Sequence, residues 1–138
     1  MATRTDRWKP TVHRVAANDI EHLKSVCPQT LKALFYTMGL LGQERYPNKP
    51  KHPWLDVCEL RNAPGWYRAY IVGEDGQQHV QWRVIFRLLG ERDGEIIEVS
   101  LECDIDAIQN RTVQITRLGH RLNDVYKHLK QLQSEVWG

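Results

Sequence analysis

The spacing of apolar positions changes from helical to alternating at about residue 45. Between residues 18 and 43, apolar side chains recur every three or four positions, which is the period of an amphipathic helix. Pro28 divides this stretch, because proline ends one helix and suits the first turn of the next. We therefore predict two helices joined by a tight turn, the first capped by Asn18 and the second running from Pro28 to about Gln43.

A proline-rich loop, RYPNKPKHP, separates the helices from a region in which apolar and polar residues alternate. Prolines exclude this loop from the centre of a sheet. Before the helices, the pattern allows one short strand around Thr11 to Val15, and we expect the polar residues 1–10 to be flexible. After the loop, alternation between turn-forming segments predicts four strands: Leu55–Arg61, Trp66–Val72, Val80–Leu89 and Glu95–Ile105.

Two of these strands can be aligned by residue type. A turn at residues 91–94 places Arg83 opposite Glu102 and Arg87 opposite Glu98 on one face, and it places apolar side chains opposite one another on the other face. We expect the apolar face to meet the helices. With the strand Trp66–Val72 alongside, the other face would be open and would interleave arginines with aromatic residues: Trp66, Arg68, Tyr70, Arg83 and Arg87.

The C-terminal segment supports two interpretations. Thr112–Thr116 is β-branched and alternating, as is typical of a strand, and Gly119 could mark its end. Whether residues 117–129 are helical throughout, or strand and then helix, stays open at this point. Steps of three and four nevertheless favour a C-terminal helix over residues 118–137, whose apolar seam could also mediate a homodimer: Ile115, Leu118, Leu122, Val125, Leu129, Leu132 and Val136.

Together these elements predict one α+β domain over residues 1–138. The helix hairpin would pack on a three- to five-stranded antiparallel sheet, and the C-terminal helix would follow the sheet. A chain of 138 residues is long enough to bury a single core, and neither a repeat nor a linker divides it.

Composition narrows the functional classes. Nineteen Lys and Arg against 17 Asp and Glu give a net charge of +2, so a nucleic-acid site would need local clustering of cations. No apolar run is long enough to span a membrane, and the three cysteines match no zinc spacing. We therefore expect a cytoplasmic protein without metal or cofactor. An acidic row at residues 98–106 could hold a divalent cation, but alternation along one strand explains it more simply.

The predicted arginine–aromatic face is open to a functional and a structural interpretation. Guanidinium groups bind phosphate through two parallel hydrogen bonds, and aromatic rings offer surfaces on which unpaired bases stack. The face could therefore bind single-stranded RNA. Alternatively, Arg83–Glu102 and Arg87–Glu98 would be ordinary cross-strand ion pairs on a solvated face.

Two short motifs add a family resemblance. The chain resembles the RelE/ParE toxin superfamily in two motifs: QWRVIFR at residues 81–87, and GHR at residues 119–121 followed by DVY at residues 124–126. The predicted order of a helix pair and then a sheet is also similar to that superfamily. The resemblance implies the toxin of a toxin–antitoxin pair, neutralised by a cognate antitoxin protein. RelE-type members cut mRNA on the ribosome without metal, whereas ParE-type members inhibit DNA gyrase. HigB-like members also carry a C-terminal helix after the sheet.

The resemblance also implies residue roles. Metal-free RNA cleavage uses the 2′-hydroxyl as nucleophile and needs proton transfer and cations around the phosphate. By motif position Arg83 and Arg121 would stabilise the phosphate, Tyr126 would be the catalytic tyrosine and His120 would supply a basic group. A ParE-like gyrase inhibitor and a non-enzymatic protein-binding module remain alternatives to the mRNA endonuclease. In the endonuclease interpretation, the other residues of the predicted arginine–aromatic face would bind RNA: Trp66, Arg68, Tyr70 and Arg87.

Overall fold

A computed structural model describes residues 7–61, 63–100 and 103–120. Two helices and a sheet confirm the predicted α+β class. In chain order the helices and strands are β1 (Lys9–Val12), α1 (Arg14–Val26), α2 (Pro28–Gln43), β2 (Val57–Leu60), β3 (Ala63–Val72), β4 (Gln78–Arg92), β5 (Glu95–Glu98) and β6 (Gln109–His120), with a 3-10 turn at Ile105–Ala107 before β6.

The helix hairpin has the predicted division at Pro28. Helix α2 has the predicted bounds, whereas α1 begins at Arg14, four residues before the expected cap Asn18. The cap is His13, whose Nδ1 atom accepts a hydrogen bond from the backbone N–H of Val15 at 3.3 Å. An imidazole nitrogen can therefore do what an asparagine oxygen usually does at this position. Neither helix of the described chain is long and apolar enough to cross a membrane.

The predicted antiparallel sheet of three to five strands is wrong. In the described chain six strands form one mixed sheet in the order β1-β6-β4-β3-β2, and β5 pairs with the far end of β4. Strand β1 lies parallel to β6, with Val12 opposite Ile115. The predicted sheet lacked the parallel pair of β1 and β6. Strand β1 is only four residues long, and the end of its partner β6 was predicted to be helical.

The β4–β5 hairpin differs from its predicted register by two residues. Asp93 and Gly94 both have positive φ angles, 55° and 80°, and form a two-residue turn that pairs Arg92 with Glu95. An even shift keeps every side chain on its predicted face. Strand β5 ends at Glu98, so the predicted strand Glu95–Ile105 is too long.

The predicted helix at residues 118–137 is wrong at its beginning. Leu118, Gly119 and His120 belong to β6, where Leu118 pairs with Val84. Residues 121–137 and the predicted homodimer seam lie outside the described residues. The register with β4 shifts at Thr116, and this bulge leaves the core-facing residues Ile115 and Leu118 three positions apart. The bulge therefore imitates the spacing of a helix.

The helices cover one face of the sheet, as predicted from its apolar residues. Leu23, Leu34 and Leu41 of the helices share a core with Val84 and Phe86 of β4. Polar contacts fix the helices further. On α2, the buried Thr37 hydroxyl accepts a hydrogen bond from Val72 N–H at 2.9 Å. On α1, Asp19 accepts from Leu118 N–H and Arg117 Nε, both at 2.9 Å.

Candidate functional site

The face of the sheet opposite the main core brings together arginines and aromatic residues from β3 and β4. In the β3–β4 register Tyr70 pairs with Arg83. Arg68 pairs with Ile85, which lies between Arg83 and Arg87 along β4. The side-by-side placement of the two strands agrees with the sequence prediction. We call the following five residues the arginine–aromatic cluster: Trp66, Arg68, Tyr70, Arg83 and Arg87.

One end of the cluster is partly exposed, and two guanidinium groups lie over the ring of Tyr70. The guanidinium carbons of Arg68 and Arg83 lie 4.3 and 5.4 Å from the centroid of the Tyr70 ring, within reach of a cation–π interaction. Arg68 forms an ion pair with Asp56, whose Oδ1 atom lies 3.6 Å from Arg68 Nη1, longer than a hydrogen bond. Two cations over one ring repel each other, and the Asp56 carboxylate beside Arg68 offsets part of this repulsion.

The other end of the cluster is closed. Trp66 is 2% exposed and Arg87 is fully buried, with its guanidinium carbon 4.8 Å from the Trp66 ring centroid. Val15 of α1 packs against the small buried cluster that Trp66 and Ile85 form. The predicted open face is therefore closed at this end, and neither Trp66 nor Arg87 can contact RNA in this arrangement.

The buried arginine pairs with the carboxylate that the sequence assigned to it. Arg87 Nη2 donates to Glu98 Oε1 at 2.6 Å, although the shifted hairpin places the two residues diagonally rather than directly opposite. Burial lowers the pKa of the Arg87 guanidinium, and the Glu98 charge partly offsets this effect. The predicted Arg83–Glu102 pairing is wrong in register: Arg83 pairs with Tyr70 and Gly119 across the two neighbouring strands.

The residues implied by the family motif are not brought together in the described chain. His120 pairs with Trp82 at the end of β6, and their rings stack edge to face with centroids 5.3 Å apart. Side chains alternate along a strand, so His120 and Arg83 lie on opposite faces of the sheet. Arg121 and Tyr126 lie outside the described residues.

The acidic row at residues 98–106 does not form a cation site in the described chain. No group of three or more His, Cys, Asp or Glu side chains suited to a metal occurs among the described residues. Asp104 caps the 3-10 turn by accepting from Asp106 N–H at 3.2 Å, and Glu98 pairs with Arg87. The acidic residues were predicted to lie along one strand, but β5 ends at Glu98, so Asp104 and Asp106 are not on the same strand as Glu98.

Comparisons with known proteins add no relative from which a function could be transferred. No protein-family model, curated protein or solved structure matches the chain. The RelE/ParE resemblance therefore rests on the two short motifs, and function has to be argued from the geometry of the cluster.

Proposed function

We propose that the protein binds single-stranded RNA through Arg68, Tyr70 and Arg83. The stack of two guanidinium groups on the half-exposed Tyr70 ring supports this proposal most strongly. The contact with the ring positions each guanidinium group, and a partly exposed guanidinium can bind phosphate oxygens through its solvent-facing N–H groups. The two guanidinium groups occupy the Tyr70 ring, so the expected contacts are to RNA phosphates rather than to a base. Trp66 and Arg87 have a structural role in this proposal, because they are buried.

The finer proposal is that the protein is the toxin of a toxin–antitoxin pair and cleaves mRNA on the ribosome. Its support is the motif at residues 81–87, whose arginine at position 83 belongs to the half-exposed stack. In the cleavage step the 2′-oxygen attacks phosphorus and loses its proton, the bond to the 5′-oxygen breaks, and that oxygen gains a proton. Arg83 and Arg68 would stabilise the negative charge that builds up on the phosphate oxygens. The family resemblance makes Tyr126 the catalytic tyrosine for the proton transfers. His120 lies on the face opposite Arg83 and has no part in this step. The resemblance also requires a cytoplasmic protein with a cognate antitoxin.

The test is induced expression of the full chain in bacteria, with growth curves and mapping of transcript ends. We expect the natural protein to arrest growth and to produce new 3′ ends inside coding regions, and we expect Arg83→Ala to abolish both effects. Arg61→Ala is the matched control, because Arg61 is exposed in the turn between β2 and β3, outside the cluster. Thermal melting should show that either variant loses less than about 1 kcal/mol of stability.

Each outcome separates the candidate functions. Full toxicity in a folded Arg83→Ala variant would contradict the role of the stack. Growth arrest without new transcript ends, but with altered plasmid supercoiling, would favour a gyrase inhibitor. If the natural protein neither arrests growth nor binds single-stranded RNA in vitro, a non-enzymatic protein-binding module becomes the better explanation.

A further inference from the structure

A groove lies where β1 meets the beginning of β6, and it is independent of the arginine–aromatic cluster. Its volume is about 950 Å³, and none of its lining residues belongs to the cluster. Three of the lining residues are cations: Arg7, Lys9 and Arg111. No sequence pattern connects these cations, because Arg7 and Lys9 are about a hundred positions away from Arg111 in the chain.

Arg111 is the buried cation of the groove. It is 8% exposed, and its Nη1 atom donates to the carbonyl oxygen of Ile105 at 3.3 Å. The β4–β6 register shifts next to it, where Asn110 adopts a positive φ of 50°. Among the described residues no carboxylate forms an ion pair with Arg111. A guanidinium carries five N–H donors, so Arg111 has donors left for a bound anion beside its bond to Ile105.

The charges of the groove indicate what kind of anion would fit. The one carboxylate among its described lining residues is Asp106, which lies 3.5 Å from Arg45. Three cations and one carboxylate give the lining a net charge of +2. A phosphate dianion would balance this charge, whereas a monocarboxylate or a phosphodiester would balance half of it.

We propose that this groove binds a phosphate dianion, either free or as the monoester of a nucleotide-sized molecule. Arg111 binds the phosphate oxygens from the buried side of the groove, with the fork geometry that guanidinium groups use for phosphate. Arg7 and Lys9 approach from the exposed side, where both side chains are accessible to solvent. The volume of the groove leaves room for more than phosphate alone.

The test is calorimetric titration of the full chain with inorganic phosphate, adenosine 5′-monophosphate and dimethyl phosphate at constant ionic strength. Work at roughly pH 8 keeps the first two ligands mainly dianionic. We expect saturable binding of inorganic phosphate and weaker binding of the singly charged dimethyl phosphate. Tighter binding of the nucleotide than of phosphate would assign the rest of the groove to a nucleoside, and equal binding would assign the site to free phosphate.

Variants make the assignment specific. Arg111→Lys keeps the charge but removes the fork, and we expect about tenfold weaker phosphate binding. Lys9→Gln changes an exposed residue whose loss should not affect folding, and we expect roughly two- to fivefold weaker binding. Arg61→Gln removes the same charge outside the groove and should leave binding unchanged. Phosphate binding no stronger than that of chloride, or equal binding by Lys9→Gln and Arg61→Gln, would overturn the proposal.

Discussion

The buried ion pair between Arg87 and Glu98 is the contact that closes one end of the arginine–aromatic cluster. Arg87 is fully buried, and its Nη2 donates to Glu98 Oε1 at 2.6 Å. We predict that Glu98→Gln destabilises the domain, because the substitution keeps the shape of the side chain but removes the charge opposite a buried cation. The neighbouring Trp66 ring cannot replace a carboxylate, since a cation–π contact is weaker than a short charged hydrogen bond.

The expected loss in the free energy of unfolding depends on how deeply each partner of the ion pair is buried. Removing one partner of a fully buried pair costs about 3–5 kcal/mol, and a hydrogen bond to a charged group contributes about 1.5–3 kcal/mol. The Glu98 side chain is 38% exposed, so solvent screens part of the interaction. We therefore expect a loss of about 2 kcal/mol, which should lower Tm by roughly 6 °C.

Urea denaturation followed by circular dichroism, together with thermal melting, would measure this loss. Glu95→Gln is the matched control, because Glu95 is exposed on the same short strand, and it should cost less than about 0.5 kcal/mol. The double variant Arg87→Met with Glu98→Gln should recover part of the loss, since the buried cation is removed as well. A Glu98→Gln variant as stable as Glu95→Gln would refute the reasoning.

Two further predictions concern buried hydroxyl groups. Thr37→Val should lower the free energy of unfolding by about 1–3 kcal/mol, because it leaves the buried N–H of Val72 without its acceptor. Denaturant unfolding would measure this loss, and a loss no larger than that of an exposed Thr→Val change would contradict the prediction. The pKa of Tyr67 is raised, chiefly by burial, so the folded state keeps its proton when the unfolded chain loses it. Stability is therefore fully present below about pH 10, the usual tyrosine value, and falls as pH rises further. Tyr67→Phe should be less stable than the natural protein at pH 7 by about 1 kcal/mol, because it loses the hydrogen bond from Asn48. This difference should shrink above about pH 10, and a constant difference up to pH 11 would exclude a raised pKa.

The membership of the cluster was predictable from sequence, but its burial was not. Alternation put Arg68, Tyr70 and Arg83 on one face because side chains along a strand have a period of two. Whether that face is covered depends on contacts made by distant parts of the chain. Val15 of α1 packs against the cluster of Trp66 and Ile85, which lies at least about fifty positions further along the chain, and periodicity cannot register such a contact.

The groove at β1 and β6 was invisible to sequence reasoning for a related reason. Arg111 enters the groove beside a shift in strand register, and the cations nearest to it come from the start of the chain. No motif connects such residues, because their proximity exists only after β1 has paired with β6. Charge totals gave no signal either, since the chain as a whole carries only +2.

The amino-acid sequence by itself determined the features that depend on neighbouring residues. Pro28 separates the two helices because its ring and missing N–H act locally, and alternation assigns the cluster residues of β3 and β4 to one face. The tertiary structure decided which strands pair and where they slip. The Asp93–Gly94 turn moved one hairpin by two residues, and the bulge at Thr116 gave β6 the spacing of a helix. A bulge is defined by the partner strand, so its effect on the pattern can be recognised only when β4 and β6 are seen side by side.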